Sequence, residues 1–248
     1  MHITTYLFHS DKVNEKIRIV FLSDLHSCQY GKEQKDLINA VKRAKPDLIL
    51  FGGDIIDDKL PDKPAFQLIE GVVDLAPSYY VSGNHEGYTG ELESLKDDVS
   101  KRGLTVLAGE KDRLQVRGSF INIIGIDDPY LGERIFQEQL ARLQAMNNPE
   151  FTIFLSHRPE RTQDYNSVES DLILAGHAHG GQWRIPRILP GLLAPHQGFF
   201  PKYTAGFYPL EKSTLLVSRG LSYKSPRIPR FFNPPELLVI DIEPELEN

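Results

Sequence analysis

Short apolar runs, each followed by a polar turn, recur along the first 180 residues of the chain. Continuous runs of this length, rich in Ile, Val, Leu, Phe and Tyr, predict strands that are buried on both faces of a sheet. The segments between them repeat their apolar residues every three or four positions, which predicts amphipathic helices. The five runs that matter most are residues 17–22, 48–51, 79–81, 151–155 and 172–175.

The order of these elements predicts the fold class. Helices are expected over residues 32–44, 66–73, 92–99 and 135–146, and short β runs over 105–107, 113–117 and 120–125. Two late strands are expected at 214–218 and 237–242, and residues 1–16 suggest an edge strand or a loose arm. Alternating βαβ units followed by β-rich segments predict an α/β fold with two packed sheets flanked by helices. With no internal repeat and no Ser/Gly linker, we expect one domain over residues 1–248.

Each of the five runs ends beside a residue that could bind a metal. Asp24 and His26 follow the first run, Asp54 the second and Asn84 the third. Strand ends converge on one crevice in an open α/β sheet, so these side chains should meet. Asp24 and His26 are two residues apart, a spacing that places side chains of an extended strand on the same side. The remaining candidates, after the fourth and fifth runs, are His157, His177 and His179.

The motifs in this order resemble those of the calcineurin-like metallophosphoesterases. The matching pieces run from Asp24 to His179: Asp-x-His, Gly-Asp, Gly-Asn-His-Glu, His and Gly-His-x-His. Three further pieces, His157-Arg-Pro, Gly180-Gly-Gln182 and Phe232-Asn-Pro-Pro-Glu236, are similar to a bacterial subgroup of small phosphohydrolases. Some members of that subgroup are membrane-associated, and some hydrolyse UDP-diacylglucosamine. The resemblance implies a four-layer α/β/β/α sandwich.

The resemblance also implies two divalent metal ions and a division of their ligands. The first metal would be held by Asp24, His26, Asp54 and His179, and the second by Asp54, Asn84, His157 and His177. Two metals about 3.5–4 Å apart need a bridging carboxylate, and Asp54 is the natural candidate. The donor set suits Mn²⁺, Fe²⁺/Fe³⁺, Zn²⁺ or Co²⁺, with Mn²⁺ common in the family. A metal-bound hydroxide would then attack phosphorus in line with the leaving group.

Two further residues are candidates for direct roles in the reaction. The resemblance implies that His85 is the catalytic residue that assists the leaving oxygen. The simpler alternative is that His85 is a structural histidine. Arg158 could contact a phosphate oxygen of the substrate, and a surface salt bridge is an equal alternative. Glu86 is expected to cap a turn or support the ligands, and Asp57 and Asp58 either support them or begin a solvated helix.

Composition excludes several classes of protein. The 34 acidic and 28 basic residues give a net charge of −6, which argues against stable nucleic-acid binding. The sequence has neither an apolar run of membrane-spanning length nor a signal-peptide pattern, and Cys28 is its single cysteine. These features favour a cytoplasmic protein, either free or resting on the inner face of the membrane.

Residues 181–235 differ in composition from the rest of the chain. They hold nine of the 17 prolines, many aromatic residues, eight basic residues and one acid, Glu211, a local charge of +7 that leaves −13 elsewhere. Such a sequence predicts ordered surface loops, and its position directly after His179 puts it beside the metal crevice. It is either a solvated surface, a wall for an anionic substrate with an apolar part, or a patch that rests on anionic lipid headgroups.

Three functions therefore remain open at the level of sequence. The first is a phosphoester hydrolase. Its substrate could be a phosphorylated small molecule such as a nucleotide or diester, a phosphoprotein, or a lipid-linked substrate, including a pyrophosphate of the UDP-diacylglucosamine-like type. The second is a metal-binding protein without catalysis, which the complete ligand set and His85 disfavour. The third is a membrane-surface module in which the metal site is structural.

Overall fold

The computed structural model describes residues 1–185, 188–223 and 229–245. Parts of the basic, aromatic segment predicted over 181–235, namely residues 186–187 and 224–228, lie outside the described residues. In chain order the strands are β1 (His2–Ser10), β2 (Ile17–Leu22), β3 (Leu48–Gly52), β4 (Ser78–Val81), β5 (Thr105–Val106), β6 (Glu110–Val116), β7 (Ser119–Gly125), β8 (Phe151–Leu155), β9 (Leu172–Ala175), β10 (Leu193–Ala194), β11 (Gly198–Phe199), β12 (Gly206–Pro209), β13 (Thr214–Val217) and β14 (Glu236–Pro244). The helices are α1 (Lys35–Ala44), α2 (Lys63–Val72), α3 (Asn84–Tyr88), α4 (Leu92–Lys101), α5 (Glu133–Gln144) and α6 (Thr162–Tyr165).

Twelve of these strands form two mixed six-stranded sheets. The first has the order β1-β14-β2-β3-β4-β5 and the second the order β12-β13-β9-β8-β7-β6. Strands β2, β3 and β4 are mutually parallel, and so are β7, β8, β9 and β13. The carboxyl ends of the central strands of each sheet therefore open onto one edge, where loops can supply functional groups.

Three apolar layers hold the fold together, one between the two sheets and one between each sheet and the helices that flank it. Alternate residues of each central strand face opposite layers: Ile49 of β3 packs against α1 and α2, and Leu50 packs against the second sheet. On the far side of the second sheet, Ile173 of β9 faces α5 and α6, whereas Leu174 faces the first sheet. Because both faces of these strands are covered, their sequences are apolar at every position.

The predicted fold class is confirmed: the protein is an α/β sandwich of two mixed sheets flanked by helices. The five apolar runs all form strands, and the N-terminal residues form a nine-residue edge strand, β1, rather than a loose arm. The short helices α3 and α6 were not predicted, because one or two turns show no measurable apolar period. The organisation as one domain stays a prediction.

Within the described residues, no helix is both long and apolar enough to cross a membrane.

Candidate metal centre and active site

The loop after β3 carries Asp54 and is held in place by Glu86. The Glu86 side chain is fully buried, and its two carboxylate oxygens accept four backbone N–H groups. The donors are Asp54 at 2.9 Å, Ile55 at 2.8 Å, Ile56 at 3.0 Å and Gly83 at 2.8 Å. Glu86 thus ties the Asp54 loop to the turn that begins α3, which explains why an acid follows the Asn-His pair.

Three predicted ligands, Asp24, His26 and His179, meet on one side of Asp54. Each offers one ligand atom, and these atoms lie within 4.8 Å of one another. His179 Nε2 is 3.8 Å from Asp24 Oδ1, and His26 Nε2 is 3.6 Å from Asp54 Oδ2. The other ring nitrogen of His26 is 3.3 Å from Asp57, which leaves Nε2 turned towards the cluster.

The remaining predicted ligands meet on the other side of Asp54. His157 Nε2 lies 3.1 Å from Asp54 Oδ2 and 3.0 Å from His177 Nδ1. The Nδ1–H of His157 donates to the carbonyl of Gly52 at 2.8 Å, so its Nε2 is the nitrogen that faces the site. Asn84 begins α3 directly beside this group, and the N–H of the next residue donates to Asp54 Oδ1 at 2.8 Å.

Several buried acceptor atoms in this crevice have no hydrogen-bond partner in the described protein. They are Asp24 Oδ2, His26 Nε2, Asp54 Oδ2 and Asn84 Oδ1. A buried polar atom without a partner costs about 1–3 kcal/mol, more when it is charged, so four in one place need an explanation. Oxygen and imidazole nitrogen atoms of this kind are ligands of divalent cations, and the residues present fit a metal centre.

The backbone around the site is unusual. Asp24, His26, Asp54, His177 and His179 all have φ values between 47° and 65°, in the left-handed region that residues other than glycine rarely adopt. Asp24 and His26 therefore do not converge through the alternation of an extended strand, as their spacing suggested; the chain turns sharply at each of them. Such strained positions cluster where a functional site overrides local preference.

Burial and charge set the protonation of the ligands. Burial favours the neutral form of Asp54, yet the neighbouring His157 holds the pKa of Asp54 well below its usual range. Burial alone would lower the pKa of His157, but the negative charge of Asp54 and its hydrogen bond outweigh that effect and raise the pKa of His157 to about 10. Burial lowers the pKa of both His177 and His179 well below the ordinary value, so both imidazoles are neutral and able to act as ligands.

His85 lies at the entrance of the crevice. Its side chain is 27% exposed, enough to meet a bound substrate, and its ring contacts that of His26 edge-on at 4.3 Å. His85 Nδ1 is 2.6 Å from Asp58 Oδ1, so Asp58 fixes the orientation of the ring. The sequence left the roles of Asp57 and Asp58 open. Asp57 Oδ2 lies 3.3 Å from His26 Nδ1 and 3.6 Å from His85 Nδ1, whereas Asp58 contacts His85.

Arg158 is buried rather than part of a surface salt bridge. Its Nη2 donates to Asp128 Oδ1 at 2.8 Å, and its Nε donates to the other oxygen of the same carboxylate. Its Nη1 reaches His196 Nδ1 and lies 3.3 Å from His177 Nε2. The prediction that Arg158 contacts substrate stays a prediction. Sequence reasoning missed Asp128 and His196, since neither follows one of the five apolar runs that marked the other candidates.

The loops that follow His179 expose a group of large apolar side chains, which we call the aromatic rim. Its members are between 43% and 79% exposed: Trp183, Ile188, Phe199, Phe200, Phe231 and Phe232. The Trp183 and Phe231 ring centroids are 5.9 Å apart. The backbone of Leu192 bonds both Trp183 and Phe200. Next to Phe231, Arg230 places its guanidinium 3.5 Å from His179 Nδ1, so the rim borders the crevice.

Comparison with known proteins agrees with this site. The model of the calcineurin-like phosphoesterase family matches residues 17–181. The metallophosphoesterase YkuE of Bacillus subtilis (strain 168), itself uncharacterised, is 33% identical over 91% of this chain and 79% of its own length. The phosphodiesterase YaeI of Escherichia coli (strain K12) is 27% identical over 82% of this chain and 74% of its own.

Solved structures agree on the fold. The protein TT1561 of Thermus thermophilus superposes with a TM-score of 0.54 at 12% identity, over 84% of this chain and 91% of that one. The phosphopantetheinyl hydrolase PptH of Mycobacterium tuberculosis superposes with a TM-score of 0.52 at 14% identity, over 87% of this chain and 92% of that one. The protein therefore belongs to the calcineurin-like phosphoesterase family and is a metal-dependent phosphoesterase.

Proposed function

We propose that the protein hydrolyses phosphoesters at a dinuclear metal centre bridged by Asp54. The observation that carries this proposal is the convergence of four unpartnered, buried acceptor atoms at the ends of the central strands. Asp54 has one oxygen fixed by a backbone N–H, and its other oxygen lies between the two groups of ligands, 3.6 Å from His26 Nε2 and 3.1 Å from His157 Nε2. That is the arrangement a bridging carboxylate needs.

The ligands divide into two sets around that bridge. Asp24, His26 and His179 would complete the first set, and the second set would be completed by Asn84, His157 and His177. Two divalent cations, Mn²⁺ in our proposal with Fe, Zn or Co as alternatives, would acidify a water and offset the charge of the phosphoryl oxygens. The protein contributes the rigidity of the ligands, since Asp57 orients His26 and the Gly52 carbonyl orients His157.

His85 is the proposed catalytic acid. Asp58 Oδ1 accepts the hydrogen bond of His85 Nδ1–H and so orients the ring. The exposed edge of the ring, which carries Nε2, could deliver a proton to the leaving oxygen of a substrate bound in the crevice. General acid catalysis of this kind contributes about 10²–10⁴-fold to the rate.

Metal-reconstituted activity tests this proposal. Protein stripped by a chelator is supplied with Mn²⁺ and assayed with bis-p-nitrophenyl phosphate, and bound metal is measured in parallel. We expect two equivalents of metal and turnover in the wild type, no turnover in Asp54→Ala, and at least a roughly 100-fold loss in His85→Ala with the metal content retained. Undiminished turnover by the stripped protein, or by Asp54→Ala, would refute the proposal.

The aromatic rim favours one substrate class, a lipid-linked phosphate at an anionic membrane surface. Exposed apolar patches of this kind usually mark an interaction site. The segment that carries them, residues 181–235, has a charge of +7, whereas the rest of the chain has −13. A basic surface with aromatic side chains beside the crevice suits a phosphate headgroup attached to an acyl chain, such as a UDP-diacylglucosamine-like lipid.

Vesicle co-sedimentation separates this substrate class from soluble phosphoesters. We expect the protein to sediment with phosphatidylglycerol vesicles and not with phosphatidylcholine vesicles. The double substitution Phe199→Ser and Phe200→Ser should abolish sedimentation but keep hydrolysis of the soluble substrate. Leu7→Ser, which removes an exposed apolar side chain from β1, is the matched control and should sediment like the wild type. Equal binding to both kinds of vesicle would argue against an anionic partner.

A further inference from the structure

His196 lies against His177, one of the proposed metal ligands, although it comes from a different part of the fold. It occupies the turn between β10 and β11, in the left-handed backbone region with φ 59°. The two rings lie 5.0 Å apart between centroids at 32°, and His196 Nδ1 is 2.8 Å from His177 Nε2. This contact joins the hairpin that carries Phe199 to the metal site.

The hydrogen bonds around the His177 ring indicate a specific role for His196. His177 directs Nδ1 towards His157 and the site, so binding a cation through Nδ1 requires the ring proton to be on Nε2. Within the described residues, His177 Nε2 has two hydrogen-bonding neighbours, His196 Nδ1 and Arg158 Nη1. A guanidinium can only donate, which leaves His196 Nδ1 as the acceptor for that proton.

Arg158 makes this acceptor necessary. Asp128 holds the guanidinium in a fixed orientation, with Nη1 3.3 Å from His177 Nε2. Without His196, a proton on His177 Nε2 would face the protons of Arg158, and the opposite tautomer, with its proton on Nδ1, would be favoured. That tautomer presents an N–H to the metal site and cannot bind a cation there.

The same arginine also contacts His196. Its Nη1 donates to His196 Nδ1, so that nitrogen is an acceptor shared by the guanidinium and the His177 ring. Glu160, His177 and His196 together resemble a third cation site, because their ligand atoms lie within 4.8 Å of one another. However, Arg158 Nη1 lies among them, 3.7 Å from Glu160 Oε1, so a fixed side-chain cation already fills this position.

We infer that His196 is a positioning residue that selects the metal-binding tautomer of His177 and thereby supports the second metal position. The inference rests on the proposed dinuclear centre. It assigns a role to a residue in the proline-rich loops, where no motif marked it. Partners of this kind, which orient a ligating histidine through its other ring nitrogen, typically contribute about 10–100-fold to metal affinity.

A pair of substitutions separates the acceptor from the bulk of the side chain. His196→Leu keeps a similar volume and removes the acceptor, whereas His196→Asn places a carbonyl oxygen at the same distance from the backbone as Nδ1. Mn²⁺ binding to the metal-free proteins is measured by competition with a fluorescent chelator, and electron paramagnetic resonance reports coupling between paired Mn²⁺ ions. His9→Leu, at an exposed histidine on β1, controls for loss of a surface imidazole.

The expected result is selective. His196→Leu should weaken one of two Mn²⁺ sites by about 10–100-fold and lose the coupled signal, while His196→Asn and His9→Leu stay within about threefold of the wild type. If the wild type binds two Mn²⁺ ions and His196→Leu binds both with unchanged affinity, the inference about His196 is wrong, whereas the dinuclear centre is not contradicted. A failure of His196→Asn to restore binding would show that the acceptor is not what matters. A wild-type protein that binds a single Mn²⁺ would refute the dinuclear centre and this inference with it.

Discussion

Replacing Glu86 with glutamine tests how the site is held together. Both carboxylate oxygens of Glu86 accept two backbone N–H groups each, one pair from Ile55 and Ile56 and the other from Asp54 and Gly83. Glutamine has nearly the same shape, but one oxygen becomes an NH₂ group. Whichever way the amide is turned, two backbone donors then face a donor.

The size of the effect follows from the number of bonds lost. A hydrogen bond to a charged group contributes about 1.5–3 kcal/mol, so losing two should lower the free energy of unfolding by roughly 3–6 kcal/mol. That is a large part of the roughly 5–15 kcal/mol typical of a folded protein. Because Asp54 and Gly83 are among the donors, metal affinity should fall as well.

Urea unfolding of the metal-free proteins, followed by circular dichroism, measures this difference. Glu93→Gln is the matched control, because the Glu93 side chain is 86% exposed on α4 and its replacement should change the unfolding free energy by less than about 0.5 kcal/mol. If Glu86→Gln unfolds within about 1 kcal/mol of the wild type, the four N–H bonds do not stabilise the site as argued.

Three further predictions follow from the same geometry. A β-carbon at Gly83 would lie 2.2 Å from Asp54 Oδ1, so Gly83→Ala should reduce metal binding and activity. Gly90 has open space around it, so Gly90→Ala should lower stability by about 1 kcal/mol and leave activity intact. Equal metal binding by the two variants would contradict this prediction. Asp58→Asn should lower kcat and leave metal content unchanged, because it alters only the hydrogen bond that orients His85; a loss of metal in that variant would assign Asp58 to the metal site instead. Compared with protein at a metal concentration roughly 100-fold above Kd, metal-free protein should melt about 5–10 °C lower for each site that is emptied, and re-addition of metal should restore the melting temperature. An unchanged melting temperature would mean that no metal binds the folded state preferentially.

The sequence predicted the parts of the molecule in which one local pattern determines the outcome. The run before Asp54 is apolar at every position because both faces of β3 are covered, and that pattern identifies a central strand without further information. The family motifs then predicted the residues that the structure gathers at the strand ends. Asp24 and His26 do lie close together, but left-handed turns rather than the alternation of an extended strand bring them together.

The unpredicted features depend on contacts between distant segments. His196 approaches His177 only because a two-strand hairpin folds back over the end of β9, and no local pattern around His196 indicates that contact. Likewise, Arg158 is buried because Asp128, 30 residues earlier in the chain, neutralises it. Local sequence encodes the tendency of each segment, whereas such pairings follow from the packing of the whole fold.

The proposed ligands belong to two separate sheets. Asp24, Asp54 and Asn84 follow strands of the first sheet, whereas His157 and His177 follow strands of the second. A bound metal pair would therefore link the two sheets, which pack against each other through an apolar layer. Side chains within that layer, far from any substrate, determine the spacing of the sheets and with it the distances between the ligands. Substitutions in the interior of this protein should consequently change its catalytic activity even where they touch no active-site atom.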